Sequence, residues 1–127
     1  MSKAYDQYRE LLSQRKFGEA ARLAEQAHLE GNPRNPFWLT RQAAALTRAG
    51  EFGQALTVSE QALAIAPANP YALLCMAEAL SGLRRYKEAL EVYETIVTES
   101  NDKVATVARN CMLACLDELR SWYRIHE

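Results

Sequence analysis

The chain has 127 residues, is 49% hydrophobic and 24% charged, and carries a formal net charge of −1 at pH 7. That is enough chain to bury a core without disulfides or a structural metal, and too apolar a composition for disorder. The near-zero charge excludes a global field that would draw the protein to nucleic acid or an anionic membrane, and no apolar run approaches a membrane span.

Apolar residues recur at three and four positions along almost the whole sequence, and no β-branched alternation marks a strand, so the chain reads as all-α. The first predicted helix covers 3–14 and ends at the "RKFG" cluster, after which a second runs over 18–30. "EGNPRNP" then breaks the chain: Gly31 offers a left-handed helix end, Asn35 a cap and Pro36 a first helical turn. The third helix is predicted over 36–49, and "RAGEFG" separates it from a fourth over 53–66. "APANP" supplies Asn69 as a cap and Pro70 as the start of a fifth helix over 70–83. "GLRRY" leads to a sixth over 87–99, and "ESND", with Asn101 or Asp102 as cap, to a seventh over 103–125. The first six are short and joined in pairs by tight turns, which makes each pair an antiparallel hairpin. The seventh is longer and stands alone.

The segment "RNPFWLTRQAAALTRAGEFGQAL" aligns without a gap on "ANPYALLCMAEALSGLRRYKEAL", 34 residues later. Asn35 falls on Asn69, Pro36 on Pro70, Leu39 on Leu73, Ala43 on Ala77, Leu46 on Leu80, Phe52 on Tyr86 and Ala55 on Ala89. Paired helices at this period describe a solenoid, in which one hairpin cannot hide its apolar face and must stack on the next. Ala43, Ala55, Ala62, Ala77 and Ala89 are the positions where backbones must approach, and Phe17, Phe52 and Tyr86 stand where a ring can seal each hairpin turn.

On these residues the sequence resembles the tetratricopeptide repeat family. Leu39, Ala43, Leu46, Ala55, Ala62 and Pro67 follow the family pattern in one repeat, and Leu73, Ala77, Leu80, Ala89, Tyr93 and Ile96 in the next. Phe17, Ala20, Ala24 and Ala27 repeat the order earlier, with one residue inserted before Asn35. The departures are Tyr8 in place of a small residue, Gln42 in place of leucine, and Ser59 and Ala24 in place of an aromatic ring. The resemblance implies a right-handed helical-hairpin solenoid in a single domain, 1–127, with repeats at 2–35, 36–69 and 70–103 and a capping helix at 103–125.

Catalytic and cofactor chemistry find no foothold. No P-loop, GxSxG, HExxH or dinucleotide glycine pattern occurs, and His28 and His126 have no evident nucleophile or carboxylate partner. Asp117 and Glu118 read as a solvated helix face. Cys75, Cys111 and Cys115 have no disulfide-framework spacing, which fits small apolar residues in a reducing compartment; neither a metal nor a cofactor is expected. The protein reads as soluble, cytoplasmic and non-catalytic.

The resemblance further implies a concave groove lined by the first helix of each hairpin and holding a peptide or a partner's helix. The matching positions are Tyr5, Asp6 and Arg9, then Phe37, Thr40, Arg41, Ala44 and Arg48, then Tyr71, Leu74, Cys75 and Glu78, with Arg109 and Met112 extending the surface from the last helix. Phe37 and Tyr71 are expected side by side, with Tyr5 alongside them. Aromatic and arginine side chains dominate binding hot spots, so the expected partner is a protein or peptide with apolar anchors and some negative charge. The positions that clamp a chaperone-tail carboxylate in one branch of the family hold Tyr5, Arg9, Arg41, Tyr71 and Cys75, which disfavours that specialisation. Trp122, Tyr123 and Ile125 keep the end of the last helix apolar where a capping helix should turn polar. This gives an alternative reading, a structural subunit that self-associates through its C-terminal helix.

Overall fold

The computed structural model describes residues 2–100 and 103–126, and among them forms seven α-helices and no strand. They are α1 (Lys3–Ser13), α2 (Phe17–Glu30), α3 (Phe37–Arg48), α4 (Phe52–Ile65), α5 (Pro70–Gly82), α6 (Tyr86–Glu99) and α7 (Lys103–Ile125). All seven predicted helices are present, with ends displaced by a residue. Phe17, Phe52 and Tyr86 are each the first residue of a helix. Ser2 caps α1 by accepting from the Tyr5 N–H, and Asn69 caps α5 by accepting from Tyr71 and Ala72. Asn35 accepts from the Phe37 N–H at 3.0 Å, so Pro36 precedes α3 rather than opening it. The expected cap at Asn101 or Asp102 lies outside the described residues.

The hairpin turns are one structure built three times. Lys16, Glu51 and Arg85 each donate a backbone N–H to the carbonyl five residues back, on Leu11, Leu46 and Leu80, at 2.9 Å in every case. The preceding residues, Arg15, Gly50 and Arg84, bond three residues back and take φ of 59°, 82° and 64°. These paired bonds satisfy the last carbonyls of a helix and require one residue in the left-handed region. Only the middle turn places glycine there. The expectation for Gly31 is corrected, because its φ of −104° with ψ −157° is extended backbone.

Stacking follows from residue size. Ala20, Ala24, Ala43, Ala55, Ala62, Ala77, Ala89 and Ala108 are fully buried, so the helices meet at methyl groups and come close. α2 packs on α3, α4 on both α3 and α5, and α6 on both α5 and α7. In the other layer α3 packs directly on α5 and α5 on α7, while no comparable contact joins α2 to α4 or α4 to α6. α3, α5 and α7 are therefore closer together than α2, α4 and α6, which puts the inner, concave face on the odd-numbered side. A cleft of about 460 Å³ between α2 and α4, walled by Glu25, Leu29, Gln54 and Thr57, marks the splayed outer side.

The polar departures from the repeat pattern, Tyr8, Gln42 and Ser59, each have a hydrogen-bond partner. The buried Tyr8 sends its hydroxyl to the Arg41 carbonyl at 2.7 Å, tying α1 to α3. Ser59 is fully buried and bonds the Ala55 carbonyl, and Gln42 donates to Glu25 across α2 and α3. Gly82 faces the ring of Phe52, where an added Cβ would stand 2.3 Å from a ring carbon.

Two stability predictions follow from these contacts. Arg84→Gly relieves a left-handed arginine and is expected to raise unfolding free energy by about 0.5–1 kcal/mol, and Gly50→Ala to lower it by about 1 kcal/mol, in urea titrations. Gly82→Ala drives a methyl into the Phe52 ring and is expected to cost about 1–3 kcal/mol, a loss that Phe52→Leu in the same chain should partly restore.

Candidate functional site

The inner face begins with a cluster of four rings contributed by α1 and α3. Tyr5 lies 5.8 Å from Phe37, 6.5 Å from Tyr8 and 6.4 Å from Trp38, centroid to centroid. Trp38 in turn meets Tyr8 edge-on at 5.9 Å and Phe37 at 5.2 Å. The first two residues of α3 thus both pack on α1, Phe37 through Tyr5 and Trp38 through Tyr5 and Tyr8. Trp38 was not among the expected residues. Its signal was available, since it is an aromatic residue between the groove position Phe37 and the core position Leu39.

Arg41 is the cation this cluster positions. Its guanidinium carbon sits 4.3 Å above the Phe37 ring, and Nη1 donates to the Thr40 hydroxyl at 3.2 Å. That hydroxyl donates to the Phe37 carbonyl at 2.6 Å, so ring, hydroxyl and guanidinium are mutually fixed. Thr40 itself is buried, and so is Cys75, whose thiol donates to the Thr40 carbonyl at 3.7 Å. Both were expected to line the groove; instead they lie under it and join α3 to α5. The cause is close approach, because only short side chains fit where those two helices pack.

The other expected residues divide similarly. Tyr71 is 54% exposed, Leu74 and Ala44 are half-buried, and Arg9 and Arg109 are exposed. The side-by-side placement of Phe37 and Tyr71 is corrected: Phe37 turns to Tyr5 and Trp38, and Tyr71 makes no ring pair among the described residues. Arg48 is exposed but lies 4.9 Å over the Phe17 ring, so it serves the first hairpin turn at the edge of the groove. Its equivalent in the next repeat, Gly82, lets the Phe52 ring occupy the same space.

Buried titratable groups report the local field. Burial pushes the Tyr8 phenol up to about 12, opposed by the positive charges of Arg41 and Arg48. Burial also pushes the Cys75 thiol up to about 12, with Glu78 adding to the rise and Arg41 opposing it. Further along, burial raises Tyr93 and Cys111, and the Glu78 carboxylate raises both further. Cys75 therefore stands between the Arg41 guanidinium of α3 and the Glu78 carboxylate of α5. Glu78 is itself half-buried, and burial lifts its carboxyl above the ordinary value. Thiols held this far toward the protonated form are poor nucleophiles. Among the described residues no group of three or more His, Cys, Asp or Glu side chains could hold a metal, and no helix is long and apolar enough to cross a membrane.

At the far end, Trp122, Tyr123 and Ile125 are 43%, 44% and 77% exposed. Trp122 stacks on His126 at 4.3 Å and meets Tyr123 edge-on at 5.1 Å, and the Lys87 ammonium lies 5.9 Å from the Tyr123 ring. The rings fold partly toward α6, and Ile125 remains in solvent.

The raised Glu78 carboxyl means that the native state holds this proton more tightly than the unfolded chain, so ionisation at neutral pH opposes folding. Glu78→Gln is expected to raise the thermal midpoint at pH 7. The advantage should vanish below about pH 4, where both side chains are neutral. A lower midpoint for the variant at pH 7, by circular dichroism, contradicts this account.

A Tetratricopeptide repeat family model matches residues 46–109. Among curated proteins none matches the chain. The fold aligns with the first TPR domain of human RPAP3 at a TM-score of 0.80 and 24% identity, covering 93% of this chain and 91% of that one. The Sgt2 TPR domain from Aspergillus fumigatus aligns at 0.81 and 21% identity, over 98% of this chain and 82% of that one. The second TPR domain of human RPAP3, in complex with the HSP70 peptide SGPTIEEVD, aligns at 0.72 and 17% identity, over 86% and 91%.

Proposed function

The chain belongs to the tetratricopeptide repeat family, and from that premise we propose that it is a non-catalytic protein-interaction module whose inner face holds a peptide or a helix of a partner. The observation that carries the reading is the Arg41 guanidinium fixed over Phe37 at 4.3 Å; Tyr71, at the position of Phe37 in the next repeat, leaves its ring exposed. A cation held in place before the ligand arrives loses little freedom on binding, and the neighbouring rings offer apolar area. The ligand is accordingly a segment with an acidic residue for Arg41, supplemented by Arg9 or Arg109 at the margins, and a large apolar residue for the surface of Phe37, Tyr71 and Leu74.

The HSP70 peptide bound by the human RPAP3 neighbour combines acidic and apolar residues, which supports this chemistry. Clamping of a terminal carboxylate fits less well. Of the five positions that do this in one branch of the family, Tyr5, Arg9, Arg41, Tyr71 and Cys75, only two are cations, and Cys75 is buried. We therefore place an internal acidic and apolar segment in the groove. Three free thiols, Cys75, Cys111 and Cys115, suit a reducing cytoplasmic setting.

Selection of ligands for the full chain from a random peptide library tests the reading. Enriched peptides are expected to carry at least one Asp or Glu and one large apolar residue. Their affinity should fall roughly tenfold or more in Tyr71→Ala, whose side chain is 54% exposed, and in Arg41→Glu. Unchanged affinity in both variants overturns the groove assignment.

A further inference from the structure

A second cleft lies away from the inner face, where the turn into α6 meets the C-terminal half of α7. It encloses about 270 Å³ between Arg84, Tyr86 and Lys87 on one side and Leu119, Trp122 and Tyr123 on the other. The charges on its rim are asymmetric. Arg85 is matched by Glu88 through two bonds of 2.9 and 2.7 Å, which cancels the one acidic residue lining the cleft. Arg84 and Lys87 form no ion pair among the described residues. The wall between them is the first turn of α6, which has no side-chain cap.

Such a surface has two conceivable occupants, a second copy of this chain or a different protein. A two-fold self-association would bring the same patch from each subunit together, gathering two copies of the unpaired Arg84 and Lys87 charges into one contact. Like charges across a desolvated contact are strongly disfavoured. Charge complementarity therefore selects an acidic partner, and the exposed rings select an apolar side chain within it.

We propose that this cleft is a second docking site, independent of the groove, for an acidic segment of a partner protein that inserts one large apolar side chain between Leu119 and Trp122 and sets a carboxylate against Arg84 and Lys87. The aromatic end of α7 is the apolar wall of the site. The turn residue Arg84, held at φ 64°, projects its charge from a position that glycine would fill with less strain.

The chain has two tryptophans, Trp38 and Trp122. Trp38→Phe leaves Trp122 as the only reporter at the cleft, and Trp122→Phe leaves Trp38 beside the groove. The probe is a tryptophan-free acidic peptide, acetyl-Glu-Leu-Glu-Phe-Glu-amide, compared with its lysine twin, in which every Glu is Lys. Saturable change in Trp122 emission is expected with the acidic peptide and not with the twin, weakened about tenfold by Lys87→Glu and by Arg84→Gly. Neither substitution threatens folding, since Lys87→Glu puts an acid in a helix first turn and Arg84→Gly removes a left-handed arginine. Equal responses to both peptides, no response to either, or full affinity in both variants overturns the proposal. So does sedimentation that shows a dimer whose formation alone changes Trp122 emission, because the occupant would then be a second copy.

Discussion

Everything in this molecule rests on how closely helices can approach when alanine stands at the contact. A hairpin of two short helices buries too little apolar surface to persist alone, so it depends on the next one. Ala43, Ala55, Ala77 and Ala89, all fully buried, remove the side chains that would hold neighbours apart. The same economy of size reaches the inner face. Thr40 and Cys75 are drawn beneath the surface because α3 and α5 meet there, while their neighbours Arg41 and Leu74 stay partly exposed.

Bonds from side chains to backbone carbonyls tie successive repeats together. Tyr8 reaches the Arg41 carbonyl and Cys75 the Thr40 carbonyl, so both α1 and α5 are fastened to one turn of α3. That turn also carries the guanidinium laid on Phe37. The most constrained part of the inner face is thus the part that presents a charge. A ligand meeting a fixed cation loses less to ordering than one that must immobilise a free arginine.

Equivalent positions show how one geometry tolerates different chemistry. Arg15, Gly50 and Arg84 all hold the left-handed residue of a hairpin turn, although only glycine does so without strain. Arg48 and Gly82 each face the ring that opens a preceding second helix, one by laying a cation on it and the other by making room. Tyr8, Gln42 and Ser59 break the repeat pattern, and each is compensated by a hydrogen bond that the pattern does not encode.

The periodicity, the copy at 34 residues and the small residues within it determined the helices, their pairing and the family, because these are local or strictly repeated properties. The face that becomes concave was given by the family resemblance that this repeat carries. The neighbours of each side chain on that face were not. Phe37 was expected beside Tyr71 and turns to Tyr5; Trp38 was passed over and completes the ring cluster; Arg48 was assigned to a ligand and lies on Phe17. These outcomes turn on a few ångströms between helices far apart in sequence, decided by which side chains fill the space first. The pattern of residues states which positions share a face. Only packing decides which of them stay at the surface to meet a partner, since a side chain drawn beneath it, as Thr40 and Cys75 are, is no longer available to one.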